Sequence, residues 1–101
     1  MRTVKKETID RLLEAVDEYG KALVDESVDD EAEYDKVYEM AKIVSKEIFG
    51  HSFYGAFNYS LMEFVRSLRI IHPIKYCTNE EIYALLKMLD IEVVEEEQTN
   101  A

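Results

Sequence analysis

Apolar residues between Val4 and Val24 (Ile9, Leu12, Leu13, Val16, Tyr19, Leu23 and Val24) recur at intervals of three and four, with Asp10, Glu14, Asp17, Glu18 and Lys21 between them. An α-helix turns once in about 3.6 residues, so this spacing gathers the apolar side chains on one stripe. It predicts an amphipathic helix across this stretch, with the acids projecting away from the core. The pattern breaks at Asp25-Glu26-Ser27-Val28-Asp29-Asp30, which reads as an inter-helix loop whose aspartates are suited to cap the next helix and meet its positive dipole end. A second helix is expected from Asp30 to Phe49, because Tyr34, Val37, Tyr38, Ala41, Val44, Ile48 and Phe49 form a stripe and Gly50 supplies a stop.

The next stretch, His51 to Tyr59, is aromatic-rich, and its pattern fits either the opening of a long helix or a packed loop. Ser60-Leu61-Met62-Glu63 has the Ser-x-x-Glu form of a capping box, followed by a stripe of Leu61, Phe64, Val65, Leu68 and Ile71. A third helix is expected from Leu61 to at least Ile70. Met62 and Ile70 fall off that stripe, so apolar residues cover more than one face and mark this helix as the central, most buried one. His72-Pro73 forces an extended backbone, and Ile74-Lys75-Tyr76 continues with strand-like residues. Thr78-Asn79-Glu80-Glu81 is a second capping box, opening a helix that buries Ile82, Leu85, Leu86 and Leu89 and ends near Asp90. The β-branched run Ile91 to Glu95 can pair with Ile71 to Tyr76 as a two-stranded ribbon, setting Lys75 opposite carboxylates. The expected class is all-α: one domain over residues 1–95, a compact bundle of about four helices with room for a short ribbon near the C-terminus, then an acidic tail from Glu96 to Ala101.

Charge narrows the function classes. The 101 residues carry 22 Asp and Glu against 12 Lys and Arg, a formal net charge of -10 that repels phosphate backbones and anionic lipid alike. Direct nucleic-acid and membrane binding are therefore not expected. No run approaches the roughly 18 apolar residues of a membrane span, and no signal-peptide core opens the chain. Cys77 is the only cysteine, which rules out an internal disulfide and a Cys-x-x-Cys metal spacing. A reducing, cytoplasmic home is expected.

Catalytic chemistry finds little purchase. Three glycines leave no phosphate-cradling loop, so no nucleotide or other cofactor is expected. Glu14, Asp17 and Glu18 share helical spacing, but neither His51 nor His72 follows a Glu by three residues as inward-facing di-metal sites require. No signature joins Ser52, Ser60 or Cys77 to a histidine base, and Cys77 reads as a small hydrophobe. Arg66, Arg69, His72 and Lys75 form a basic island beside Tyr59 and Tyr76. It either accepts a nucleotide phosphate or balances the acidic flanks. A DNA-reading helix-turn-helix over Leu61 to Asp90 is disfavoured, because Glu80 and Glu81 would face phosphates.

The most distinctive feature is the stretch from Asp25 to Glu39, which holds eight carboxylates against Lys36 alone. Such a run either solubilises a helix pair or presents negative charge to a basic surface. The expectation is a non-catalytic protein acting by protein–protein binding, as inhibitor, immunity factor or adaptor of a larger, basic, nucleic-acid-handling protein. In size and charge alone it resembles the small acidic helical proteins, carried by phages and plasmids among others, that block nucleases or restriction systems. The expected contact residues are Asp25, Glu26, Asp29, Asp30, Glu31 and Glu33, with Tyr54 and Phe57 as aromatic anchors. Two alternatives are a homo-oligomeric assembly protein, such as a homodimer closed by that aromatic patch, and a small-ligand binder using Arg66, Arg69 and Lys75.

Overall fold

The computed structural model describes residues 2–50, 55–71, 74–75 and 77–95, with backbone alone at 55–59, 70–71 and 74–75. Within these, the chain runs β1 (Arg2–Lys5), α1 (Lys6–Leu23), α2 (Asp30–Phe49), α3 (Gly55–Arg69), β2 (Ile70–Ile71), β3 (Ile74–Lys75), α4 (Asn79–Met88) and β4 (Ile91–Val94). The all-α expectation of a four-helix bundle with a short ribbon holds. The expected tail at 96–101 lies outside the described residues.

Local chemistry explains the helix limits. Asp29 caps α2 by accepting the backbone N–H groups of Glu31 (3.0 Å) and Ala32 (3.4 Å), and Gly50 ends it in the left-handed region at φ 86°. Thr78 and Glu81 form the expected reciprocal capping box on α4. The N-cap of α1, Lys5, has no side-chain cap of its own. Glu47 of α2 supplies one from across the fold, accepting Lys5 N–H at 2.5 Å and Thr8 Oγ1–H at 2.7 Å.

The hydrophobic core forms around α1. Ile9, Leu12, Leu13 and Val16 are wholly buried, against Val37, Ala41 and Val44 of α2, Met62 and Val65 of α3, and Ile82 and Leu86 of α4. Each such aliphatic contributes roughly 1.5–3 kcal/mol over leaving it in water. α1 packs most extensively on α2 and also meets α3, both long strands and, through Asp10, Tyr83 of α4, while α3, which the pattern marks as the central helix, likewise meets α1, α2 and α4. Among the described side chains of α3, Met62, Val65 and Arg69 are buried while Phe64 is exposed, so the inner face is turned from the expected stripe. Leu89, expected in the core, is exposed beyond the last turn of α4, and Leu23 and Val24 are exposed at the end of α1.

Three expected boundaries shift. Ser60-x-x-Glu63 does not open a helix: α3 begins at Gly55, which places Ser60 inside it, and the fold chooses the helical option for the second half of the aromatic segment. Val4 is not helical but wholly buried in β1, and it lies opposite Val93 of β4 in a parallel pair running from Arg2↔Ile91 to Lys5↔Val94. The expected ribbon therefore has another partner. Ile91–Val94 joins the first strand, whereas Ile70–Ile71 pairs antiparallel with Ile74–Lys75 and sets Lys75 opposite Ile70 rather than a carboxylate. Pairing with β1 lets Ile91, Val93 and Val4 share one face on the helices, which alternation along a strand requires. Asp90, at φ 66°, turns the chain from α4 into β4, and its carbonyl accepts Arg2 N–H at 3.1 Å.

Candidate protein-binding surface

The α1–α2 hairpin carries the acidic run, and its connection is tightly built. Asp25 Oδ1 accepts both the backbone N–H (3.0 Å) and the hydroxyl (2.7 Å) of Ser27, while Asp25 carbonyl accepts Val28 N–H at 3.0 Å. This is the Asx turn that short acidic side chains favour. The two Ser27 hydrogen bonds, the side-chain one first, hold the Asp25 carboxyl below the usual aspartate range, so it stays charged. The turn leaves Leu23, Val24 and Val28 exposed, Val24 at 73%. Asp25, Glu26, Asp29, Asp30 and Glu31, interleaved with these aliphatics along the same connection, are all exposed. Thus five of the six expected carboxylates share one hairpin tip with an apolar centre that the pattern had assigned to the core or left unremarked.

Glu33 lies one turn on, half-buried, on a different feature. Along the outer flank of the hairpin runs a trough of about 620 Å³ whose floor is Ala15 and Met40. The α1 rim is Arg11, Glu14 and Glu18; the α2 rim is Glu33, Asp35, Lys36 and Glu39. Arg11 and Glu14 also border an adjoining recess with Lys6, Glu7, Asp10 and Glu95, which carries the trough toward the start of α1. Most rim charges are paired locally: Arg11 with Glu7 at 3.2 Å, Lys21 with Glu18 at 3.3 Å, Lys36 with Glu33 at 3.1 Å, and Lys42 with Glu39 at 3.4 Å. Glu14 and Asp35, on opposite rims, have no ion pair or hydrogen bond among the described residues. A signal for this trough existed in the sequence, since 11, 14, 15 and 18 and then 33, 36 and 40 repeat at helical spacing. Which two flanks meet, however, depends on the pairing of the helices.

Of the basic island, the side chains of Arg66 and Arg69 are described, and both are paired. Arg69 is 5% exposed and grips Asp17 with one edge of its guanidinium, Nε to Oδ1 and Nη2 to Oδ2, each at 2.8 Å. Its Nη1 donates to the Cys77 carbonyl at 3.1 Å and to Asn79 Oδ1 at 2.5 Å. Asn79 Nδ2 in turn donates to Asp10 at 3.3 Å, and Asp10 also accepts the Tyr83 hydroxyl and Lys6 Nζ, the latter at 3.2 Å. Asp17, expected to point away from the core, is therefore half-buried and tied to α3. Arg66 donates to Glu63 of its own helix through Nε and Nη2, at 3.1 and 2.6 Å, and Glu63 also receives the Tyr34 hydroxyl of α2 at 3.4 Å. Burial first, then the hydrogen bond to Asp10, pushes the Tyr83 phenol above its ordinary range.

Of the aromatic anchors, Tyr54 lies outside the described residues and Phe57 falls in α3 where only backbone is described. His51, Ser52, His72 and Tyr76 also lie outside them, while Cys77 is half-buried against the core as expected. Among the described residues no group of three or more His, Cys, Asp or Glu is placed to hold a metal ion, and no helix is long and apolar enough to cross a membrane. Comparison of the chain with protein-family models, curated proteins and solved structures finds no match.

Proposed function

We propose that this chain is a non-catalytic binding protein that engages a basic surface of a larger protein through the tip of its α1–α2 hairpin, acting as inhibitor or adaptor. The observation that carries this reading is the tip itself, where Leu23, Val24 and Val28 stand exposed among Asp25, Glu26, Asp29, Asp30 and Glu31 with no base between Val24 and Glu31. Exposed aliphatics inside a charged loop contribute nothing to the core, and a small apolar centre with a charged rim is the anatomy of a protein-binding patch. The Asx turn holds the patch in shape, which limits the ordering cost of binding. Dipole stabilisation accounts for the acids in the first turn of α2 but not for Asp25 and Glu26, which precede it.

A nucleic-acid-handling protein of the cytoplasm is the proposed kind of partner, because proteins that grip phosphate backbones carry the complementary positive surface. The test is affinity capture from lysate with the wild type and two variants, Val24→Ser/Val28→Ser and Asp25→Asn/Glu26→Gln/Asp30→Asn/Glu31→Gln. A basic protein retained by the wild type, weakened by salt and lost with both variants is the expected result. Retention unaffected by either variant refutes the reading.

A further inference from the structure

We infer that the trough along the α1–α2 hairpin is the seat of a basic amphipathic helix from the partner; this rests on the binding reading above and assigns it a second, separate surface. The floor is apolar, Ala15 and Met40, and Ile43, three residues on from Met40 and half-exposed, lies beyond the lining residues at helical spacing. Acids outnumber bases on both rims: Glu14 and Glu18 against Arg11 on α1, and Glu33, Asp35 and Glu39 against Lys36 on α2. No described residue of α3 or α4 lines the trough, since those helices meet α1 on the flank of Asp10 and Asp17.

The geometry selects a helix. A trough between two packed helices runs along them, and a third helix laid in it packs ridges into grooves as in any bundle. Ala15, short at the middle of the floor, lets a backbone come close. From Arg11 to Glu18 the trough follows eight residues of α1, about 10 Å, or roughly two turns of a partner helix. The charges select its sign. Glu14 of α1 and Asp35 of α2 both line the trough and have no ion pair among the described residues, so an apolar anchor at i and i+4 flanked by Lys or Arg on both sides satisfies both rims at once. An acidic helix meets repulsion on each side.

The probe is an 18-residue Leu/Lys peptide of helical period, fluorescently labelled, set against a peptide of the same composition with the period scrambled. Titrated against the full chain, the periodic peptide should bind at least tenfold more tightly, become helical on binding, and shift the amide resonances of Glu14, Ala15, Asp35 and Met40. Glu14→Lys/Asp35→Lys, at two exposed positions that leave the core intact, should weaken it at least tenfold and restore tight binding to a Leu/Glu counterpart. The tip variants should change it less than twofold. Equal binding of both peptides, or resonance shifts confined to the tip, overturns the assignment. If it fails while the tip variants still abolish capture of a basic protein, the binding function stands without this groove; if capture is also indifferent to the tip, both readings fall.

Discussion

Arg69 offers a direct test of how this fold holds together. The residue is 5% exposed and its guanidinium makes four hydrogen bonds, two to Asp17 and one each to Cys77 and Asn79. Arg69→Met keeps most of the stem volume but leaves the Asp17 carboxylate, the Cys77 carbonyl and Asn79 Oδ1 facing an apolar group. Removing one partner of a buried pair costs about 3–5 kcal/mol. Asp17 retains 27% side-chain exposure, so water recovers part of the loss and the lower end, about 3 kcal/mol, is expected. At roughly 4–8 °C per kcal/mol for a domain of this size, the melting temperature should fall by about 12–24 °C. Urea denaturation followed by circular dichroism gives the free energy, and Asp17→Leu with the double variant completes a cycle. The double variant should be more stable than the sum of the two losses implies, by about 1.5 kcal/mol or more, because it removes both charges together. A loss below about 1 kcal/mol for Arg69→Met, or strict additivity, refutes a buried pair that links α1 to α3.

Two further outcomes follow from single side chains. Ser45 is wholly buried and its hydroxyl has no hydrogen-bond partner among the described residues, so Ser45→Ala should stabilise the chain by about 1 kcal/mol, read as a higher urea midpoint at unchanged slope; destabilisation would show a partner for that hydroxyl. Ser27→Ala should return the Asp25 carboxyl toward its ordinary range, measured by NMR titration of its side-chain carbon. Because the folded value is depressed, the stabilising effect is present above the unfolded value of 3.8 and lost as pH falls through the folded one, so the wild type and Ser27→Ala should converge in stability only at the acid end. Coincident Asp25 titrations in the two proteins would remove the Asx turn as the cause.

The binding surface shows where reading along the chain runs out. The carboxylates of the tip are visible as a run, and their exposure follows from charge. Val24 and Val28 are not distinguishable from core residues by type, and Val24 continues the apolar stripe of α1; it is exposed because the helix ends at Leu23, before that stripe can be covered. The trough combines residues at least fifteen positions apart, Glu18 and Glu33 at its tightest separation, and it exists only once two particular flanks lie side by side. Of the two readings of the basic island, Arg66 and Arg69 follow the one in which it balances nearby acids, but the sequence does not say which acids: Arg69 is buried on Asp17 and Arg66 is held by Glu63.

Signals that act within a turn or two of helix were sufficient by themselves. The limits of α2, from the Asp29 cap to Gly50, and the Thr78–Glu81 box of α4 involve partners at most four residues apart, so their chemistry is present in any window of the chain. The apolar stripes of α1 and α2 likewise require only the helical period. The Ser60–Glu63 box has the same local form as the one at Thr78, but the helix had already begun at Gly55, so the local signal was overridden. Val4 opposite Val93, Glu47 capping α1 and Arg69 gripping Asp17 across 52 residues depend on which elements meet. Those meetings are decided by the joint burial of apolar faces over the whole chain, a quantity that no window of sequence contains.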